Sequence, residues 1–293
     1  MSILQALQGV EGVTLLSAPG AGEGPVVGVV GAVHGNERCG LEVVLGLAKP
    51  DHPLRRRLRT GTLVLLHGNP LATEEGRRHT HTGVDLNRQF DFNFQQQLPQ
   101  AAWTFEHHRA WALKPILEQL DAVLDLHSAT SLTPPFVIAT PGQVGLAEKL
   151  GCPLVTWGWD QPGLLSDKVL TSVLLRRGMI GLSVECGQHG SLEAVERAWD
   201  VTERFLSAMG MLEGEAPPLR PCLKLELLHR VGRPTPAFRF SRPWEGGMQV
   251  MPGELLGEGG GIRLCSAGKY RVLLPNPHAA VGEDMLYLAE ERS

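Results

Sequence analysis

Two segments of this chain each run from an apolar strand pattern straight into a histidine, and that limits what the chain can fold into. Val26-Val27-Gly28-Val29-Val30-Gly31-Ala32-Val33 leads into His34-Gly35-Asn36-Glu37, and Ala122-Val123-Leu124-Asp125-Leu126 leads into His127. A sharp turn lets side chains three residues apart, such as His34 and Glu37, point at one ion. If both strands lie in one sheet, their ends bring two imidazoles and a carboxylate to the same edge. Two His and one Glu with a fourth position open is the donor set of a hydrolytic zinc site. His34, Glu37 and His127 are therefore the candidate ligands of one Zn2+ per chain.

The surrounding pattern agrees with such a sheet. Residues 61–66, 135–139 and 178–184 read as further short buried strands rich in Val, Ile and Leu. Helical patterns cover 37–48, 101–119, 145–150 and 191–209. The expected fold is α/β, with a mixed, largely parallel central sheet covered by helices. After the Pro-rich stretch Gly214–Pro221, helical periodicity stops. Apolar stretches at 222–228, 237–240, 248–250, 262–265 and 270–274 are separated by Gly and Pro, with a flexible turn expected at 257–261. The predicted division is a catalytic domain over 1–213 and a small all-β domain over 214–293.

Composition removes several function classes. The 293 residues carry a formal net charge of −4, and the densest basic run, Arg55–Arg59, has no interleaved aromatics, so a nucleic-acid partner is not expected. No apolar run approaches the ~18 residues of a membrane span, and the N-terminus has no signal-peptide pattern. The five cysteines are scattered, with no C-x-x-C pair, which fits a reducing compartment and a cytoplasmic protein. Assembly into a homo-oligomer is left open.

Other segments supply candidates for chemistry. Glu185 follows the apolar run 179–184, and burial at a strand end raises a carboxyl pKa toward the range of a proton shuttle; a salt bridge to a nearby arginine is the alternative. Asp125, two residues before His127, faces the same side and is either an acceptor that orients the histidine or purely structural. In Asp85-Leu86-Asn87-Arg88, an amide beside a guanidinium suits a substrate carboxylate, whereas the simpler reading is a turn closed by Asp85 and Asn87. His79-x-His81 and His107-His108 are competing ligand pairs, and His189 is a candidate for the edge of the site.

The strings GAVHGNERCG (31–40), HGNP (67–70), VDLNRQF (84–90), LDLHS (124–128) and VECGQHG (184–190) resemble, in order and rough spacing, the succinylglutamate desuccinylase/aspartoacylase family of the zinc carboxypeptidase-like superfamily. The resemblance spans about residues 25–210. It implies His34, Glu37 and His127 as zinc ligands, Glu185 as general base, and Asn87 and Arg88 as carboxylate binders. It also implies an arginine shortly before the Asn-Arg pair that stabilises the oxyanion, here Arg78 rather than Arg77.

Two positions depart from the aspartoacylase branch. Leu175 stands where that branch has an arginine that reads a side-chain carboxylate, and Val281 stands where it has a C-terminal tyrosine. The resemblance therefore implies the hydrolytic core without implying a dicarboxylic substrate. The expected function is a zinc-dependent amidohydrolase that removes an acyl group from a small N-acyl amino acid. A carboxypeptidase-type peptidase and a non-catalytic metal-binding protein are the competing readings.

Overall fold

A computed structural model describes residues 3–7, 9–20, 23–161 and 168–292. The strands are β1 (Val13–Ser17), β2 (Val26–Gly31), β3 (Thr62–His67), β4 (Ala122–Ala129), β5 (Phe136–Ile138), β6 (Leu154–Trp157), β7 (Ile180–Gln188), β8 (Leu223–Gly232), β9 (Arg239–Phe240), β10 (Gln249–Val250), β11 (Leu255–Gly259), β12 (Ile262–Cys265), β13 (Tyr270–Leu273) and β14 (Asp284–Arg292). Among the described residues, eleven of them form one mixed sheet in the order β1-β3-β2-β4-β7-β5-β6-β8-β14-β13-β10. The strands β3-β2-β4-β7 are mutually parallel, as are β5-β6-β8, and the direction reverses where β5 pairs antiparallel with β7. The expected mixed, largely parallel sheet covered by helices is the observed architecture.

The central strands are apolar throughout because both faces are covered. On one face Leu124, Leu126, Leu182 and Val184 pack with Val43, Leu47, Val201 and Phe205 of the helices Arg38–Ala48 and Leu192–Ala208. On the other, Val30, Val64, Leu66 and Val123 pack with Leu113, Ile116 and Leu117 of the helix Phe105–Leu117. β2 is the first of the parallel strands. Its successor β3 lies on one side of it and β4 on the other, so the connection from β3 to β4 crosses over β2. In open α/β sheets the crevice at such a reversal is where ligands bind, and both candidate histidines emerge there.

The region after the linker is all-β, and part of it extends the central sheet. β8 continues the central sheet by pairing parallel with β6, from Leu154↔Leu223 to Trp157↔Glu226, and β14, β13 and β10 follow it outward. β9, β11 and β12 form a separate three-stranded sheet. The flexible turn expected at 257–261 is corrected: Leu255–Gly259 is a strand, and only the hairpin tip beyond it turns. Gly257, Glu258 and Gly259 pair with β12, so their backbone groups are satisfied by a ladder despite the glycine content. Among the described residues no helix is long and apolar enough to cross a membrane.

The helix Arg38–Ala48 packs unusually close to β2. A Cβ on Gly31 would lie 2.2 Å from the Gly40 carbonyl carbon, and one on Gly40 would lie 2.7 Å from Leu126 Cβ. Gly31→Ala therefore has to push the helix start, and Glu37 with it, away from the strand. The expected cost is about 1–3 kcal/mol, the usual range for overpacking. A variant whose melting temperature and metal affinity both match the parent would show that this close approach is unimportant.

Candidate metal centre and active site

β2 ends at Gly31, and Ala32 takes a left-handed φ of 54°, a conformation that costs energy for a residue with a Cβ and persists only when its surroundings hold it. Here the 67–70 segment does so: Gly68 N–H donates to the Gly31 carbonyl and Asn69 N–H to the Ala32 carbonyl, both at 2.8 Å. That segment is braced in turn by Arg109, whose guanidinium donates to the carbonyls of Gly68 (2.8 Å) and His67 (2.6 Å). The chain then turns back on itself, closed by Glu37 N–H donating to the His34 carbonyl at 3.0 Å. This turn makes the three-residue spacing productive. Glu37 precedes the helix Arg38–Ala48 at its N-cap position without using its side chain as a cap, leaving its carboxylate for the cluster.

His34 Nδ1 lies 2.8 Å from Glu37 Oε1, and His127 Nδ1 lies 2.9 Å from Glu37 Oε2. One ligand atom from each of the three buried residues falls within 4.8 Å of the other two. The far nitrogen of each ring is held by a second carboxylate: Asp125 Oδ2 at 2.8 Å from His127 Nε2, and Asp85 Oδ1 at 3.1 Å from His34 Nε2. Outer carboxylates of this kind fix tautomer and ring orientation at metal sites. The donors fit a divalent metal: two imidazoles have their distal nitrogens occupied and their proximal ones converging on a carboxylate. Neither pair His79/His81 nor His107/His108 belongs to the cluster. His79 bonds the Thr80 carbonyl, His81 pairs with Glu75, and His107 caps its own helix through Thr104.

The charges are strongly coupled. Burial alone would push Glu37 up, but the two histidines hold its carboxyl well below the usual range. Burial would lower His127, and Asp125 with Glu37 raises it well above the ordinary histidine value. Glu185 behaves oppositely. Paired with His127 across the β4–β7 register, it is pushed up to about 7 by burial first and by the Glu37 charge second. Its Oε2 is buried without a hydrogen-bond partner.

Arg78 is set beside this group by its backbone, whose carbonyl accepts from Gly35 N–H at 3.2 Å. Its guanidinium contacts Asp85 Oδ2 at 2.9 Å and Glu37 Oε1 at 3.5 Å. Arg77 does not line the cavity, whereas Arg78, Asn87 and Arg88 do. Asn87 Oδ1 accepts from Leu170 N–H at 2.9 Å, and Arg88 donates to the Asn87 carbonyl at 2.9 Å. Asp85 does close the turn, accepting from Asn87 N–H at 2.8 Å. The simple turn reading and the site reading are both present in one segment.

Two further members of the site are not evident from sequence. Asp85 reads there only as a turn residue, although a carboxylate ahead of an Asn-Arg pair is also a signal for a histidine partner. Ser128 Oγ bonds His189 Nδ1 at 2.8 Å while its N–H donates to Glu37 Oε2 at 3.1 Å; only the known register could reveal this link. β8, β14 and the connection before β14 border the cavity through Arg230, Asn276, Asp284 and Tyr287. Val281 is exposed, and the tyrosine among these bordering residues is Tyr287, whose hydroxyl donates to Asp284 at 2.5 Å.

The segment carrying Arg78 is tied down by Glu106, a fully buried carboxylate that accepts from Thr80 N–H (3.0 Å), Thr82 Oγ (2.8 Å) and Thr104 Oγ (3.1 Å). Burial would raise its pKa, but these donors hold it below the ordinary value. A depressed folded-state pKa contributes stability above the unfolded-state pKa of about 4.3, which is lost as pH falls through the folded value. Glu106→Gln is expected to lose about 1–3 kcal/mol at pH 7, with the gap to the parent narrowing below pH ~4 in denaturant titrations. A pH-independent gap would mean that the carboxylate charge plays no part.

Comparison with known proteins follows the same lines. Residues 23–144 match the family model of the succinylglutamate desuccinylase/aspartoacylase catalytic domain. That span contains the three candidate ligands with Arg78, Asn87 and Arg88, and ends before Glu185. Over 123 residues the chain is 32% identical to an N-acyl-aromatic-L-amino acid amidohydrolase (carboxylate-forming) of Rattus norvegicus. That match covers 40% of this chain and only 37% of the rat protein. The fold is shared with a succinylglutamate desuccinylase/aspartoacylase from Rhodobacter sphaeroides, with a TM-score of 0.75 and 21% identity over 96% of this chain and 89% of that one. It is also shared with an aspartoacylase family protein from Mesorhizobium loti, with a TM-score of 0.68 and 22% identity over 96% of each chain.

Proposed function

We propose that this chain, whose residues 23–144 match the catalytic-domain model of the succinylglutamate desuccinylase/aspartoacylase family, is a zinc-dependent amidohydrolase of that family that removes an acyl group from a small N-acyl amino acid. The observation that carries the reading is Glu185: a buried carboxyl, pushed up to about 7 and with an unpartnered oxygen, in register beside His127 and lining the same cavity as the three candidate ligands. A module that only bound a metal would have no use for it.

His34, Glu37 and His127 would hold the ion, which when bound supplies a Lewis acid that acidifies water and polarises a carbonyl. Glu185 takes the proton of the attacking water and hands it to the departing nitrogen, a task suited to a carboxyl that titrates near neutrality. Arg78 donates to the carbonyl oxygen as it gains negative charge. Asp85 keeps Arg78 and His34 in mutual register. Asn87 and Arg88 hold the substrate α-carboxylate. The amidohydrolase activity that the rat relative is named for supports the same reaction class.

Asn276, Asp284 and Tyr287 border the cavity, and a site walled by this C-terminal region suits a small substrate better than an extended peptide. The five free cysteines agree with a cytoplasmic location.

The test is amine release from a panel of N-acyl amino acids and dipeptides by zinc-loaded protein, with a chelated control. Release from acyl amino acids that stops on chelation is expected, and cleavage confined to dipeptides would replace this reading by the peptidase one. Glu185→Gln should lower kcat by about 10²–10⁴-fold with zinc content unchanged. Asp125→Asn should weaken zinc binding about 10–100-fold in competition with a chromophoric chelator; an unchanged affinity would separate Asp125 from the metal centre.

A further inference from the structure

The cavity measures about 1190 Å³, above the ~300–1,000 Å³ usual for small-ligand sites, and the metal-binding triad fills only one end. From Glu185 it extends back along β7. Side chains on one face of a strand recur every second residue, so Glu185, Ser183 and Gly181 lie in line, and all three border the cavity. The two-residue step from Glu185 to Ser183 gives the open floor a length of roughly 7 Å.

The floor is low at Ser183, which carries only a hydroxymethyl group, and it ends at Gly181, where Thr171 packs over the strand with its carbonyl oxygen 2.9 Å and its Cβ 3.0 Å from where a Cβ would stand. Ile138 forms one wall, directly opposite Ser183 in the β5–β7 pairing. Leu175 forms the other, its Cγ 3.3 Å from where a Cβ on Gly181 would stand. Met179 and Gln143 border the far end. The Gln143 amide donates to the Met179 carbonyl at 3.1 Å and its oxygen accepts from Gly181 N–H at 3.4 Å, so its polar atoms serve the backbone. Arg176 also borders the cavity, and its guanidinium donates to Ser172 Oγ at 3.1 Å and the Phe90 carbonyl at 2.7 Å.

We propose that this trough receives an uncharged, largely apolar group of the substrate, an aromatic ring or a medium alkyl chain attached close to the scissile amide. The inference rests on the amidohydrolase reading for where the amide lies. A carboxylate driven into the trough would lose its hydration between Ile138 and Leu175 and would meet the Glu185 carboxyl at the mouth, a costly burial. An apolar group gains from the same walls. It can be carried by the amino acid or by the acyl chain, and the substrate series separates the two.

The experiment uses the full-length, zinc-loaded Glu185→Gln protein for binding by calorimetry and the parent for turnover. The ligands are N-acetyl-L-phenylalanine, N-hexanoylglycine, N-acetyl-L-aspartate and N-acetylglycine. At least one of the first two is expected to bind tenfold or more tighter than N-acetyl-L-aspartate. Which of them does so tells side chain from acyl chain. In parallel, Ser183→Leu fills the trough and should lower the ratio of kcat/KM for the preferred compound over N-acetylglycine at least tenfold. Tighter binding of N-acetyl-L-aspartate, or no binding of either apolar compound, overturns the proposal whether or not the Ser183 variant folds. Tight apolar binding without any amine release by the parent would leave the trough standing and remove the hydrolase reading instead.

Discussion

Everything at the site depends on one carboxylate shared between two imidazoles. Glu37 stands between His34 and His127 with an oxygen toward each, and these residues come from the ends of two strands that are neighbours only because β2 and β4 pair. The arrangement is expensive when it is only partly formed: a buried carboxylate without its histidines, or a histidine without its outer carboxylate, would be an uncompensated buried charge or polar group. Asp125 and Asp85 complete it. The backbone geometry upstream, with Ala32 in a left-handed conformation braced by Gly68 and Asn69, serves to deliver Glu37 to that point.

The same coupling separates the roles of the carboxylates. Glu37 and Asp85 are surrounded by cationic or protonatable partners and are held acidic. Glu185, equally buried, has a negative neighbour and an oxygen without a donor, so it keeps its proton to a much higher pH. In the proposed mechanism, environment alone divides chemically similar groups into ligand, orienting partner and proton carrier.

The parallel strands and the strand-end histidines were legible in the sequence because each signal is local: a run of Val, Ile and Leu that stops at a polar residue. The regions that were missed need long-range information. β1 and β6 are short and flanked by glycine-rich or polar stretches, and they become strands by pairing with β3 and β5. β14 mixes Met, Leu and Tyr with a charged tail and carries no turn signals that frame it. Its pairing with β8 is what places Tyr287 and Asp284 in the cavity wall. The link from Ser128 to His189 joins residues far apart in sequence and has no periodic trace. The departure at Leu175 was visible as a single residue, but its meaning depends on Gly181, against which Leu175 packs, and on Ile138, which the β5–β7 register sets beside Ser183.

The continuity of the large sheet bears on how molecules enter and leave. β8 is joined to β6 by a ladder from Leu154 to Trp157 and to β14 by one from Lys224 to Gly232. The far wall of the cavity and the strands that carry His127 and Glu185 are thus parts of one hydrogen-bonded plate. Swinging that wall aside would mean tearing a row of backbone hydrogen bonds, which a thermal hinge motion does not do. Traffic through this enclosure is left to side chains and connecting loops at its rim, so its shape is largely set before any guest arrives.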